Sequence, residues 1–187
     1  MKKLTYIFVL FSFFMMMACG GKKANTKAEV RQIFQIDSVD ENTGVQRMQT
    51  SHIDQIVESK GKKFRLVIDR MPDGSLPVVK STMGTFVDNR ISVKITRENG
   101  TQLFSKSFTK SDFAAQLPND YLRESVLEGL VYDDVKSADN KEIILAASVS
   151  YPMTDLYIPF TLVVSQSGTL SLTKDEDMGE LTPMEEE

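Results

Sequence analysis

The only imidazole of the chain, His52, follows Ser51 and precedes Asp54 by two positions. Hydroxyl, imidazole and carboxylate are the groups that nucleophilic catalysis combines. Adjacent side chains on a strand point to opposite faces, however, so Ser51 and His52 cannot meet there. His52 is therefore expected to be a surface histidine without a catalytic role. Zinc takes three or four His, Cys or carboxylate ligands, and one histidine beside a single cysteine does not supply them. Acids gather at Asp37, Asp40, Glu41 and Asn42, and again at Asp133, Asp134, Asp139 and Asn140. Calcium needs six to eight oxygens. Neither group has the spacing and central glycine of a calcium loop, and both are expected to be solvated loops. No glycine-rich phosphate loop or nucleophile elbow occurs. Paired carboxylates for glycosidic chemistry stay open, because any two of the many acids can converge in space. Tyr121, Tyr132, Tyr151, Tyr157 and Phe160 could line a sugar- or lipid-binding surface. Core packing for Phe160, and sheet rims with wet hydroxyls for the tyrosines, is the plainer account. No catalytic residue, cofactor or metal ligand is assigned.

Cys19 stands in a more telling setting. Lys2 and Lys3 lead into an apolar run from Leu4 to Ala18, and the cysteine follows at once. The run falls short of the ~20 residues of a spanning helix. With its basic start and small final residue, it has the form of an export signal over residues 1–18. A cysteine directly after the small residue resembles a bacterial lipoprotein signal, although Met16 stands where such signals most often carry leucine. That resemblance implies diacylglycerol on the Cys19 thiol, cleavage before it, and acylation of the new amine. Each buried CH₂ contributes ~0.8 kcal/mol and stable anchoring takes more than one chain, so three chains would hold the protein at a membrane. No thiol would then remain for a disulfide. Removing Lys2 and Lys3 from the 22 basic residues leaves 20 against 26 acidic ones, a net charge of −6. That balance argues against nucleic acid or an anionic lipid surface as partner.

The elements that must position these groups read mostly as strands. Residues 19–28 form a polar, unpatterned tether after the lipidated cysteine. Residues 29–174 make one domain, large enough to bury a sizeable core, and 175–187 an acidic tail. Phe64, Leu66 and Ile68 alternate with Arg65, Val67 and Asp69, and Ile91, Val93 and Ile95 with Ser92, Lys94 and Thr96. Ile143, Leu145, Ala147 and Val149 share one face, and Leu156, Ile158, Phe160, Leu162 and Val164 another. Such strands bury one face and wet the other, the habit of antiparallel sheets. Glu98-Asn99-Gly100 and Ser165-Gln166-Ser167-Gly168 supply hairpin turns, and Pro72-Asp73-Gly74 another. Pro159 interrupts a strong run and predicts an edge or a bulge. Thr109 and Asp112 open a short helix. Asn119 and Asp120 cap a second one, with Leu122 and Val126 on one side and Gly129 as its stop. The expected fold is mainly β: an antiparallel β-sandwich or partly open barrel with a short helical crossover.

The run Ala147-Ser148-Val149-Ser150-Tyr151-Pro152-Met153-Thr154-Asp155-Leu156-Tyr157-Ile158-Pro159-Phe160 resembles small lipoproteins of Bacteroides and Prevotella. So do Asp88-Asn89-Arg90-Ile91 and Phe108-Thr109-Lys110-Ser111-Asp112-Phe113. The family that these stretches resemble is DUF4738, over nearly the whole chain after the signal. It carries no functional residue across. The resemblance implies an envelope lipoprotein of the outer membrane. Gly20-Gly21-Lys22-Lys23 after Cys19, in place of acidic residues, implies the periplasmic face. Asp37-Ser38-Val39 resembles the three-residue O-glycosylation site of such exported proteins, with Ser38 as acceptor. The expectation is a non-enzymatic binding or interaction module whose partner is an envelope protein or glycan. An enzyme acting on envelope glycan, or a carrier of an apolar ligand, is the alternative.

Overall fold

The computed structural model describes residues 35–175. Cys19, the export signal and the tether lie outside the described residues, as does the tail beyond Asp175. Hairpins dominate the first half. β1 (Ile36–Val39) turns into β2 (Val45–Met48), and β3 (Ser51–Ser59) into β4 (Lys62–Pro72). The short β5 (Val79–Ser81) pairs with β6 (Gly84–Phe86), and β7 (Asn89–Arg97) with β8 (Gln102–Phe108). A 3₁₀ helix (Lys110–Gln116) and α1 (Asn119–Glu124) lead to β9 (Val126–Tyr132). Then come α2 (Asp134–Asn140), β10 (Ile143–Ser150), β11 (Tyr157–Val164) and β12 (Leu170–Lys174).

These strands make two antiparallel sheets, ordered β3-β4-β7-β8 and β12-β11-β10-β9, and a small mixed sheet β1-β2-β6-β5. In the first sheet Leu66 lies opposite Ile95 and Ile68 opposite Val93, so the period-two pattern brings these apolar residues to one face. The second sheet presents Leu145, Ala147 and Val149 beside Leu162, Phe160 and Ile158. Both inner faces contribute to a single core, and the two sheets pack as a β-sandwich. Phe113 of the 3₁₀ helix enters that core, its ring centroid 4.8 Å from Phe160 and 6.3 Å from Phe108. Side chains fill the interior, each large one contributing ~1.5–3 kcal/mol by burial. Met48, Val79, Phe86 and Val126 form a second, smaller cluster under the mixed sheet.

The Gly100 turn forms as its chemistry requires. Gly100 takes φ +82 between β7 and β8, and Gly168 φ +85 between β11 and β12. The crossover helix starts where expected, with the Thr109 N–H donating to Asp112 Oδ2 at 2.9 Å, but it is 3₁₀ in form.

Three expectations are corrected. The second helix ends at Glu124, so Val126 opens strand β9 and Gly129 lies inside it, opposite Ser148. The register of β9 against β10 shifts at that point and leaves Glu128 as an extra residue. Gly129 thus marks a bulge rather than a helix stop. The acidic residues Asp133, Asp134, Asp139 and Asn140 build helix α2 instead of a solvated loop. Asp133 caps it by accepting from the Lys136 N–H at 2.8 Å, which satisfies an otherwise orphaned donor. Pro159 occupies a strand with neighbours on both sides, not an edge. Its carbonyl accepts from the Asp175 N–H just past the end of β12. In an antiparallel pair a residue's N–H and C=O face the same neighbour, so the missing proline donor falls where the pairing stops.

Gln116 guards the free edge of β12. Its Oε1 accepts from the Lys174 N–H at 2.6 Å, and its Nε2 donates to the Leu172 carbonyl at 3.3 Å. One side-chain amide satisfies the outward-facing backbone of two strand residues, as a neighbouring strand would.

Candidate functional site

His52 and Ser51 do lie on β3 with opposite orientations, His52 exposed and Ser51 half-buried. His52 Nδ1 is 2.5 Å from Asp69 Oδ1, its directly opposite residue on β4. Asp54 is engaged elsewhere, taking Arg65 Nε at 2.8 Å and Arg65 Nη2 at 2.5 Å. Ser51, His52 and Asp54 are thus not brought together. Ser38 is exposed on β1, the edge strand of the mixed sheet. Among the described residues, no group of three or more His, Cys, Asp or Glu side chains is placed to hold a metal ion. No helix among them is long and apolar enough to cross a membrane.

A buried polar knot joins the two large sheets at the end nearest the mixed sheet. Asp88, just before β7, is 2% exposed. Its Oδ1 accepts from the Asn89 N–H at 2.8 Å and from the Leu127 N–H at 2.9 Å. Lys110 Nζ stands 3.5 Å from Oδ2 and donates to the Ser125 carbonyl at 2.7 Å. Burial pushes the Asp88 carboxyl above its ordinary value, while Lys110 and the backbone donors act in the opposite sense. Asn89 Nδ2 donates to the Leu127 carbonyl at 3.0 Å. Arg70 spans the same gap, donating from Nη1 to the Glu128 carbonyl at 2.7 Å and from Nη2 to the Gln49 carbonyl at 2.9 Å. The Glu128 carboxylate, raised by burial and opposed by Ser150 and Arg70, accepts from the Ser150 hydroxyl. Apart from the Asp88–Asn89 bond, these bonds cross between segments distant in the chain, so the knot fixes how β7 and β9 meet. That role is architectural.

Beside the knot, Tyr121 and Tyr151 pack with ring centroids 4.5 Å apart, and the Tyr121 hydroxyl donates to the Val149 carbonyl at 2.8 Å. Burial raises the Tyr121 phenol above its usual value. Tyr151, Pro152, Leu156, Met83 and Glu124 line a small groove of about 210 Å³. Tyr157 is exposed at the start of β11, and Phe160 is fully buried in the core.

The larger cleft, about 460 Å³, lies at the other end of the sandwich. Three turns converge there: Lys60-Gly61 between β3 and β4, Glu98-Asn99-Gly100 between β7 and β8, and the turn holding Gln166. Lys62, Lys63, Arg97, Glu98, Asn99 and Gln166 line it over a floor that includes Phe64. The turns are cross-braced. Arg97 Nη2 donates to the Gln166 carbonyl at 3.4 Å, and Gln166 Nε2 to the Ser59 carbonyl at 3.5 Å. The Ser59 hydroxyl donates to the Lys141 carbonyl at 2.8 Å. Lys62 and Lys63 are exposed and have no ion-pair partner among the described residues. This cleft is not visible in the sequence, because its residues come from three hairpins far apart in the chain. Its one local signal is the basic run of Lys60, Lys62 and Lys63 around Gly61.

Together these features define a β-sandwich with a braced, cation-lined cleft at one end and a small third sheet at the other. The chain belongs to the family described as "Domain of unknown function (DUF4738)", whose model matches residues 31–172. No curated protein matches it.

Proposed function

We propose that this protein is an envelope lipoprotein, tethered through lipidated Cys19 and facing the periplasm from the outer membrane, that acts as a non-enzymatic binding module. One observation carries the reading: the first described residue, Gln35, and the cleft lie at opposite ends of the sandwich. The Gln35 carbonyl accepts from the Gln49 N–H at 3.0 Å, two residues before β3 begins. The cleft lies beyond the other end of β3, nine residues away, or about 30 Å at strand rise. A lipid-held protein so arranged can present its cleft away from its own anchor. The filled interior, closed by Phe108, Phe113 and Phe160, favours binding at the surface over carriage of an apolar ligand inside. Exposed Ser38 on an edge strand suits it as the acceptor of an O-linked sugar.

The test is Cys19→Ser in cells fed a clickable palmitate analogue. The wild type should carry label and fractionate with membranes. The variant should lose both label and lipoprotein-specific cleavage. Equal labelling of the two, or a mature chain starting elsewhere, would refute the tether.

A further inference from the structure

We propose that the cleft formed by the three converging turns is a binding site for a carboxylate-bearing saccharide. This rests on the reading of the chain as a binding module and names the ligand class. The lining carries both signs of hydrogen-bonding capacity. Lys62 and Lys63, consecutive residues of β4, both line it and have no ion-pair partner among the described residues. Consecutive strand residues point to opposite faces, so the two approach the cleft from opposite sides of the end of β4, Lys62 on the side of Phe64 and Lys63 on the outer side. Arg97 adds a third positive charge whose position is fixed by the Gln102 and Gln166 carbonyls, with Nη1 donating to Gln102 at 3.1 Å.

A purely anionic ligand would need only these cations. The cleft also contains acceptors. Glu98 is exposed at its edge and has no ion-pair partner among the described residues. Gln166 uses its Nε2 on Ser59, leaving Oε1 as an acceptor. Asn99 spends its Oδ1 on the Thr101 N–H at 3.1 Å and the Thr101 hydroxyl at 2.7 Å, leaving its amide N–H groups as donors. A carboxylate acceptor beside the lysines repels a dense polyanion but accepts from sugar hydroxyls. Amide donors and acceptors match the same hydroxyls, and the cations match a carboxylate. An acidic sugar is the ligand class that uses all of these groups together. The braces across Arg97, Gln166 and Ser59 hold the polar groups in place before the ligand arrives, which lowers the ordering cost of binding.

The experiment is a titration of the purified full chain in non-ionic detergent, followed by backbone amide chemical shifts. The probes are trigalacturonate, the neutral trisaccharide maltotriose, and inorganic phosphate. Trigalacturonate should move the amides of Gly61, Lys62, Lys63, Glu98, Asn99 and Gln166 and bind at least about tenfold tighter than maltotriose, or about 1.4 kcal/mol. Lys62→Glu/Lys63→Glu should weaken it by a similar factor with an unchanged circular dichroism spectrum. Lys94→Glu, exposed in the middle of β7 and away from the cleft lining, should leave it unchanged. Phosphate binding as strongly as trigalacturonate would overturn the saccharide assignment. Shifts elsewhere, no shifts, or equal binding of maltotriose would overturn the site. The outcome does not depend on lipidation. A failed Cys19→Ser test would remove the tether and leave the cleft result standing, and the converse holds as well.

Discussion

Gly100 and Gly168 occupy hairpin turns with nearly the same backbone angle, φ +82 and +85, yet alanine should behave very differently at the two. A side chain at positive φ costs ~1–2 kcal/mol. Replacing glycine by alanine also stiffens the unfolded chain and returns about 0.4–1 kcal/mol. At Gly100 an added Cβ meets nothing within 4 Å, so these are the only contributions and the net loss is ~0–1.6 kcal/mol. At Gly168 the added Cβ would come under 3.0 Å from the carbonyl oxygen of Leu103, a backbone atom of β8 in the facing sheet. That oxygen cannot rotate away as a side chain would. Either the β11–β12 turn lifts or β8 moves, and overpacking of this kind costs a further ~1–3 kcal/mol. For a domain of this size 1 kcal/mol corresponds to a Tm shift of about 2–4 °C. Gly100→Ala should therefore lower Tm by about 0–6 °C, and Gly168→Ala by about 2–18 °C, the larger loss in every case. Differential scanning calorimetry on the two variants and the wild type, at one pH and concentration, makes the comparison. Equal losses would mean that the β11–β12 turn does not pack against β8, and the placement of the cleft's third turn would fall with it.

Three further outcomes follow from other contacts. Asp88→Ala removes the acceptor for two backbone N–H groups and leaves the Lys110 ammonium, still bonded to the Ser125 carbonyl, without its counter-charge. Urea unfolding should show a loss of about 3–5 kcal/mol, with Asp88→Asn losing less because it keeps an acceptor oxygen. Asp73 accepts from the Ser75 hydroxyl, the Ser75 N–H and Arg90 Nε, which hold its carboxyl at about 2 against an ordinary 3.8. Because the folded value is depressed, its contribution is present above pH 4 and lost as pH falls towards 2. Asp73→Asn should flatten the decline in Tm across that window, and a slope equal to wild type would contradict it. Gln116→Leu strips the amide from the free edge of β12 and should cost ~1 kcal/mol. It should also raise concentration-dependent association measured by light scattering.

Local chemistry was legible in the sequence, and pairing was not. Glu98-Asn99-Gly100 announces its turn because the conformation depends on those residues themselves. The alternation of Ile91, Val93 and Ile95 announces a half-buried strand for the same reason. Thr109 and Asp112 mark a helix start because the cap bonds only three residues away. By contrast, Gly129 has the same local appearance as a helix stop and as a bulge. Only the register against Ser148 in β10 separates the two. Asp69 as the partner of His52 is likewise a fact of β3–β4 register. Arg70 and Asn89 occupy inward positions of apolar strands, where the pattern alone suggests misfits. Their partners Glu128, Gln49 and Leu127 come from other elements, so the knot is visible only after folding. The cleft is the extreme case, since no two of its three turns are adjacent in sequence.

The pairing of β1 has a mechanical consequence. Ile36 of β1 lies opposite Met48 of β2, at the open end of their hairpin, so tension applied N-terminal to Gln35 pulls the two strands apart from that end. The hydrogen bonds of an antiparallel pair run perpendicular to the strands, so this load meets them one after another, as a zipper opens. The sandwich core contains no residue of β1. A tug on the leading segment would therefore be absorbed by peeling one short strand, while the core that holds the cleft keeps its shape. The first strand acts as a mechanical fuse.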